Sequence, residues 1–417
     1  MRQKLSIRLF QPFVCPQCQI RPPAAQSRRA LSTSSVALAE STNPGSTLRY
    51  AHLKNRGLIR LAGPDAAQFL HNIVPAKVLG SGTSPVYTAF LSAQGRILND
   101  VFIYPPLETG DGNDEWFIEV DSESAESLMK HLKKHKLRAK FQLERVPAGV
   151  MGVYYRWPRT GLEELSDQGR TGPKRTRRVG GPDPRPGMGI RWLDDVSGKS
   201  ETVQRVEDSG GREATIKDYT IHRMLNGVAE GQSELISSSA LPQESNIDFF
   251  GGIDFHKGCY LGQELTIRTH HTGVVRKRIL PCQLYDENNR PRDDQPSPEY
   301  HGHLDLPMPP SQSNISKLSS KVKGRSSGKW LGGVGNIGLA LCRLEMMTDI
   351  QLTADRTGYD PEEEYKVQWE SDGSASAQKE IRLRPFVPTW LREGVEQSLR
   401  RKERSPKKKD EDGEEEV

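Results

Sequence analysis

The strongest constraint on the fold is a repeated change of hydrophobic period between residues 57 and 146. Short runs alternate apolar with polar residues, which indicates strands, and two longer runs place apolar residues at helical spacing. In chain order the runs are strand 57–63, helix 65–74, strands 85–91, 95–105 and 115–120, helix 123–136 and strand 139–146. Strand, helix, strands, helix and strand is the split βαβ order of a ferredoxin-like domain.

The charges of the second helix indicate where it begins and ends. Glu123 and Glu126 lie in its first turn, and four lysines crowd its last turns, which complements the helix dipole. Ser122 is therefore the expected N-cap.

The rest of the chain predicts a second domain made of strands. Residues 158–187 are rich in Pro, Gly and Arg without a period, so we expect a disordered insertion there. A helix is expected over 216–228, with Gly227 near its end. Four β-like runs follow without intervening helices, which indicates a small β-barrel or sandwich. These runs are 273–285, 335–345, 365–370 and 380–387.

These runs divide the chain into an α+β region, 46–271, and a C-terminal β-barrel, 272–391. A polar stretch near 287–330 interrupts the barrel strands and is expected to be disordered, as is the charged tail 392–417. The mean hydropathy of −0.67 and the hydrophobic fraction of 34% also indicate that much of the 417-residue chain stays outside a core.

Composition excludes two classes of function. No run approaches the roughly 18 to 20 uncharged apolar residues of a membrane-spanning helix. The 59 basic and 54 acidic residues nearly cancel, and the basic runs 173–178 and 404–409 lie in hydrophilic stretches. No single-sign field therefore predicts a nucleic-acid partner.

The first 39 residues carry several arginines and no acidic residue, and serines and alanines follow around 31–39. An arginine-rich, serine-rich, acid-free leader is typical of a mitochondrial transit peptide, which we place at residues 1–45. The alternative is an ordinary disordered basic N-terminus. Cys15 and Cys18 lie in this leader, and no second pair follows at zinc-finger spacing.

The remaining cysteines differ in their surroundings. Cys282 and Cys342 adjoin apolar runs and are expected to fill a core, whereas Cys259 lies in the polar stretch FHKGCYLGQE, residues 255–264. A cysteine reacts or binds metal as the thiolate, which nearby cations such as Lys257 favour. Fe–S clusters normally take about four ligands, so one thiolate could hold a cluster only with a partner. The alternative is a buried apolar cysteine.

The neighbours of Cys259 are candidates for a frame around it. Gly258 and Gly262 permit tight turns, and Gln263 and Glu264 can hydrogen-bond a polar ligand or orient a cation. Tyr260 is expected in the core rather than at a contact.

Other candidate residues have weaker signals. Asp100 follows a strand, so it is either a ligand or the start of a turn. Glu244 either lines a cavity or interrupts a loop, and Arg96 is expected to be solvated. His270 and His271 are adjacent on an expected strand, so at most one faces a site. GVGNIG at 333–338 fits a dinucleotide motif but lacks the helix that should follow, so we interpret it as a turn.

The motif KGCYLGQE, followed by RTHHTGVVRKRIL, resembles the YgfZ-type iron-sulfur cluster assembly proteins, which are relatives of the glycine cleavage aminomethyltransferase (T-protein). Further blocks, such as AFLSAQGRILND, ALPQESNID and GNIGLALCRLE, occur in the family order. The resemblance covers about residues 48–390 without the insertions. It implies a ferredoxin-like, folate-binding α+β region around a central channel, followed by a C-terminal β-barrel.

The resemblance also implies a role, which is maturation of [4Fe-4S] proteins in the mitochondrial matrix. A-type iron-sulfur carriers are the implied partners and [4Fe-4S] enzymes the implied clients. Tetrahydrofolate is the implied cofactor, and a shared Fe–S cluster is a possible transient one. Carried over by position, Cys259 contacts a cluster or partner, with Lys257 and Asp100 as further active residues. The implied cofactor-binding residues are Gly258, Tyr260, Gly262, Gln263, Glu264, Arg223 and Glu244.

Two positions depart from the T-protein pattern. That pattern has an acidic pair where this chain has only Asp100, and a pterin-gripping glutamate where this chain has Leu225. A leucine cannot accept the N–H donors of a pterin, which speaks against aminomethyl transfer and against T-protein-like folate binding. The leading hypothesis is therefore an assembly factor acting through Cys259. The rivals are a folate-dependent one-carbon transferase and a module that only scaffolds its partners.

Overall fold

The computed structural model describes residues 48–106, 115–158, 179–198, 200–271, 273–319, 326–353, 358–370 and 378–404. The expected transit peptide with Cys15 and Cys18 lies outside these residues, as does the end of the tail beyond 404. Among the helices in these ranges, none combines the length and apolar character needed to cross a membrane.

The described residues form strands and helices in the following order. The strands are β1 (Arg49–His52), β2 (Arg56–Ala62), β3 (Val86–Leu91), β4 (Ile97–Tyr104), β5 (Glu115–Asp121), β6 (Gln142–Arg145), β7 (Met151–Trp157), β8 (Val179–Pro182), β9 (Ile190–Asp195), β10 (Arg212–Glu213), β11 (Lys277–Tyr285), β12 (Asn314–Lys317), β13 (Gly328–Val334), β14 (Ile337–Arg343), β15 (Tyr365–Glu370) and β16 (Gln378–Pro385). The helices are α1 (Ala66–Ile73), α2 (Ala125–Lys136), α3 (Glu201–Asp208), α4 (Ile216–Leu225), α5 (Gln263–His271), α6 (Leu344–Met347) and α7 (Thr389–Arg404).

The first sheet confirms the element order expected for residues 57–146. It has the strand order β3-β4-β5-β2-β6 with antiparallel neighbours. The apolar faces of α1 and α2 cover one side, where Leu70, Leu128 and Ile118 are buried together. The expected cap of α2 was wrong by two residues, because Ser124 occupies the N-cap position while the Ser122 backbone N–H bonds Asn55 O.

A second sheet was largely missed by the sequence analysis. Its order is β10-β1-β7-β9-β8, and its inner face shares a core with the first sheet. The expected disordered insertion 158–187 was wrong over 179–187, since β8 pairs with β9 through Val179 and Leu193. Residues 159–178 of that insertion lie outside the described part of the chain.

The C-terminal strands close a barrel in the order β11-β14-β13-β12-β15-β16, as the barrel prediction requires. Cys282 and Cys342 are buried in its core beside Trp330, which confirms their expected packing role. GVGNIG is the β13–β14 turn, with Gly335 at φ 62°, so its interpretation as a turn is confirmed.

Two expected disordered segments are ordered where the structure describes them. Within 287–330, β12 pairs with both β13 and β15, and the buried Gln295 side chain donates to Gln283 Oε1 at 2.9 Å. Within 392–417, α7 continues to Arg404 because Leu391 and Val395, four residues apart, are buried against the barrel core. Both predictions gave too much weight to polar composition.

Candidate functional site

Cys259 lies on the surface, in the loop that precedes α5. Its side chain is exposed, whereas Cys282 and Cys342 are buried in the barrel. The alternative of a buried apolar cysteine is therefore wrong for Cys259. The sulfur can meet a partner molecule from solvent without any rearrangement of a core.

Lys257 points its ammonium group into the protein. Its Nζ donates to the carbonyl oxygens of Val74 at 2.7 Å and Ala76 at 3.1 Å, and also to that of His71. These carbonyls lie at the C-terminal end of α1, where a helix attracts cations. Desolvation by burial lowers the pKa of Lys257 to about 8, with Asp254 acting in the opposite direction. Lys257 thus fastens the Cys259 loop to α1.

Glycine is required at Gly262 but not at Gly258. Gly262 has φ 80°, and a Cβ there would lie 2.3 Å from Ser92 O. The turn between β3 and β4 packs closely on the same loop from the other side, since a Cβ on Gly95 would lie 2.8 Å from Gly262 O. A Cβ on Gly258 would meet open space. The loop is therefore pressed against the β3–β4 turn at Gly262, which leaves Cys259 facing outward.

Tyr260 and Gln263 support the loop from inside. The Tyr260 ring is buried and its hydroxyl bonds Thr266 Oγ1 at 2.7 Å. Gln263 Oε1 accepts a hydrogen bond from the Tyr260 backbone N–H at 3.2 Å. Both side chains are engaged with the protein itself, and Glu264 is exposed in the first turn of α5.

The histidines near Cys259 lie on a helix, so their expected position on a strand was wrong. His270 and His271 belong to α5, and His270 stacks on Phe255 with ring centroids 3.6 Å apart. Burial, reinforced by His271 and Arg401, lowers the pKa of His270 to about 4, which keeps it neutral at pH 7. Across the described ranges, no group of three His, Cys, Asp or Glu residues could hold a metal ion.

Asp100 belongs to a buried ionic network at the centre of the α+β region. It lies within β4, so neither a position after the strand nor the start of a turn describes it. Its carboxylate faces Arg56 Nη1 at 3.4 Å and accepts from the Gly231 backbone N–H at 3.0 Å. Arg56 Nε also donates to Glu119 Oε1 at 2.7 Å. Desolvation raises the pKa of Asp100, and Arg56 opposes that rise.

Glu230 is the hub of this network. Its Oε2 accepts from Tyr219 Oη at 2.8 Å, Arg185 Nη1 at 2.9 Å and Arg191 Nη2 at 3.0 Å. Asp183 completes the network through Arg185 Nη2 at 2.7 Å. Burial opposes ionisation of Glu230, but the guanidinium groups of Arg191 and Arg185 outweigh it and hold its pKa well below the usual value. The sequence patterns did not predict these residues, and two of them, Asp183 and Arg185, lie in the segment expected to be disordered.

Arg223 and Glu244 lie apart from each other and from Cys259. Arg223 is buried and makes a two-pronged ion pair with Glu234, with N···O distances of 2.6 and 2.7 Å. Glu244 lines a cavity of about 350 Å³ beside the barrel and lies 3.7 Å from Lys277. Arg96 lines the same cavity and donates to Ser239 O at 2.6 Å, so it is not simply solvated. These residues do not converge on Cys259 in one site.

Asp100, Arg223 and Leu225, which lie at or beside the positions of the T-protein pattern, do not fit a pterin. The Asp100 side chain has no exposed surface, and that of Arg223 is 8% exposed. Each is already paired with a buried partner. Leu225 packs with the apolar residues around Met224 and Ile279. A pterin could reach these groups only by separating buried ion pairs.

Replacing Lys257 with methionine should loosen the Cys259 loop and leave the rest of the fold intact. The three carbonyls would lose their donor, while the apolar stem would still pack. We expect the backbone amides of residues 258–262 to exchange at least about tenfold faster in hydrogen–deuterium exchange. Lys77→Met, at an exposed position just beyond α1, is the matched control. Equal exchange in both variants would contradict the fastening role.

Comparison with known protein sequences gives a matching family model and similar relatives. The model of the CAF17 C-terminal beta-barrel domain matches residues 276–393. A protein of Aspergillus oryzae is 45% identical over 383 residues, which cover 85% of each chain. A protein of Coccidioides immitis is 42% identical over 409 residues, which cover 93% of each chain. Both bear the name iron-sulfur cluster assembly factor IBA57 homolog, mitochondrial.

A solved structure has the same fold. The aminomethyltransferase T of the glycine cleavage system from Bartonella henselae superposes with a TM-score of 0.55, covering 83% of this chain and 87% of that chain at 12% identity. The expected T-protein-like α+β fold with a C-terminal barrel is thereby confirmed.

Proposed function

The chain belongs to the IBA57 family of mitochondrial iron-sulfur cluster assembly factors, and from this premise we propose that it helps to mature [4Fe-4S] proteins through Cys259. The exposed sulfur is the observation that carries the proposal. A surface cysteine on a loop braced by Lys257 and Gly262 presents a soft ligand at a defined position.

The proposed chemistry is ligation of iron that another protein brings. The Cys259 thiol loses its proton to solvent, and the thiolate displaces one carrier ligand from an iron atom of the incoming cluster. The displaced ligand stays on the carrier and takes up a proton from solvent. One sulfur leaves the other ligand positions of the cluster to the partner. Because Cys259 supplies one of about four ligands, we treat the cluster as cargo held between two proteins.

The proposed partners are A-type iron-sulfur carrier proteins, and the clients are [4Fe-4S] enzymes of the mitochondrial matrix. Family membership supports the mitochondrial setting, because the relatives carry that location in their names. The transit peptide expected at residues 1–45 supports the matrix as the destination. The division into an α+β region, 46–271, and a C-terminal barrel, 272–391, remains part of the proposal.

Tetrahydrofolate has no part in this proposal. Asp100 is paired with Arg56, Arg223 is paired with Glu234, and the Leu225 side chain has no hydrogen-bond acceptor. These contacts also give no support to the rival function, folate-dependent one-carbon transfer. The fold shared with an aminomethyltransferase does not supply the missing groups, since one fold can carry unrelated sites.

Anaerobic reconstitution tests the proposal. The full chain is mixed with an A-type carrier protein loaded with an iron-sulfur cluster, and the mixture is followed by size-exclusion chromatography and Mössbauer spectroscopy. We expect a joint complex whose iron has a changed environment relative to the carrier alone. Iron spectra identical to those of the carrier alone would overturn the role of Cys259 as a ligand.

A further inference from the structure

An apolar groove lies beside the Cys259 loop. It has a volume of about 460 Å³ and is lined by residues of α1, the end of α2 and the loop itself. Its apolar surface comes from Phe69, Ile73, Leu137 and Leu261. Polar and charged residues surround this surface, among them Asn72, Lys136, Arg138 and Asp65. The Asp65 carboxylate accepts a hydrogen bond from the Lys140 backbone N–H at 2.7 Å.

Leu137 is placed in the groove at a cost in folding free energy. Its side chain is 88% exposed, more than the other exposed large hydrophobic residues that the structure describes, of which Val150 at 55% is next. Its backbone has φ 47° and ψ −113°, a conformation that strains a residue with a Cβ. A glycine would end α2 here without strain and without exposing a leucine. Exposure and strain at one residue indicate a contact made outside the chain.

The charges around the groove indicate the chemistry of its occupant. Lys136 and Arg138 line the groove, and Lys133 and Lys134 lie on α2 outside the lining. Lys133, Lys134 and Arg138 are exposed, and none of the ion pairs found among the described residues includes them. The C-terminal dipole of α2 accounts for cations within its last turn. Arg138 lies beyond the helix end and lines the groove itself. Lys136 and Arg138 outnumber Asp65 in the lining, so the complementary occupant is acidic and carries an apolar side chain.

The groove and Cys259 belong to one surface. Leu261 lines the groove and follows Cys259 by two residues, so their Cα atoms lie within about 7 Å. Lys257 fastens the same loop to the end of α1, where Ile73 forms another part of the lining. A molecule bound in the groove is thus next to the sulfur.

We infer that this groove docks the protein that brings iron to Cys259, through an acidic segment with an apolar side chain that packs on Leu137. The inference rests on the proposed function, because the occupant is defined as the carrier of that iron. The inference assigns docking to residues of α1, the end of α2 and Leu261, whereas ligation of iron is assigned to the neighbouring Cys259.

Binding measurements on the full chain test the docking surface. The probe is an A-type carrier protein without its cluster, immobilised for biolayer interferometry at low and moderate salt. Leu137→Gly should weaken binding about tenfold, the factor expected for one lost leucine contact, without loss of thermal stability. Lys133→Glu combined with Lys134→Glu should slow association about tenfold and reduce its salt dependence.

Val150→Gly is the matched control, because Val150 is also exposed and apolar but lies in the turn before β7. It should bind like the wild type. Wild-type affinity in the Leu137 and lysine variants would overturn the docking surface while leaving the ligand role of Cys259 in place. A wild-type chain that does not bind the carrier would overturn both the docking surface and the proposed partner.

Discussion

Cells that lack this protein and express its Cys259→Ser variant should recover at most about a tenth of their matrix [4Fe-4S] enzyme activity. A serine hydroxyl stays protonated at neutral pH and is a harder ligand than a thiolate, so it cannot replace the sulfur on iron. Because Cys259 is exposed, the substitution removes the ligand without opening a cavity. Aconitase activity and lipoate conjugates on matrix proteins measure the result.

His256→Ser is the matched control for this prediction. His256 lies three residues before Cys259 and its side chain is 97% exposed, so its loss alters the same loop without removing the sulfur. This variant should restore activity to near the wild-type level. Immunoblotting must show equal amounts of both variants. Full recovery with Cys259→Ser would exclude the sulfur as a ligand and favour a module that only scaffolds its partners.

The sequence predicts those elements whose own side chains carry a period. YKVQWE, now β15, alternates because one face is covered by the barrel core, where Tyr365 and Val367 are buried. By contrast β8 contains one apolar residue, Val179, and is a strand because β9 pairs with it. Pairing with a distant segment leaves no local signal.

The local sequence pattern also does not predict the buried ionic network around Glu230. In β9, the residues Ile190, Arg191, Trp192 and Leu193 are all buried, since both faces of this part of the strand are covered. Alternation therefore cannot distinguish Arg191 from its neighbours. An arginine among apolar strand residues was the available signal, and only the fold shows that Glu230 balances it.

The Cys259 loop shows what sequence proximity can and cannot indicate. The glycines predicted tight turns, and the hypothesis that Cys259 binds a cluster required an exposed sulfur, which the structure shows. Lys257 was interpreted as a cation beside the sulfur, but its ammonium bonds carbonyls at and just beyond the end of α1, which lie more than 180 residues away in the chain. The direction of a long side chain depends on packing that the local sequence does not contain.

Glu230→Gln should lower the free energy of unfolding by about 3 to 5 kcal/mol at pH 7, the cost of removing one partner from a buried ion pair. The variant keeps the shape of the side chain but leaves Arg185 and Arg191 without the carboxylate that both contact. Urea unfolding followed by circular dichroism measures the change. A loss below about 1 kcal/mol would show that the guanidinium groups find other compensation.

Asp100→Asn is the matched control within the same network. Burial raises the pKa of both carboxylates, but the arginines lower that of Glu230 by more than burial raises it, whereas the pKa of Asp100 stays raised. The pKa of Asp100 is raised, so its charge costs free energy in the folded state, and its removal should cost less than that of Glu230.

The pKa of Glu230 is held well below the usual 4.5, so its charge stabilises the folded state. That contribution is complete above pH 4.5 and is lost as the pH falls toward the lower folded pKa. The difference in stability between wild type and Glu230→Gln should therefore shrink on acidification below pH 4.5, and a difference that stays constant would contradict an ionised Glu230 at the centre of the fold.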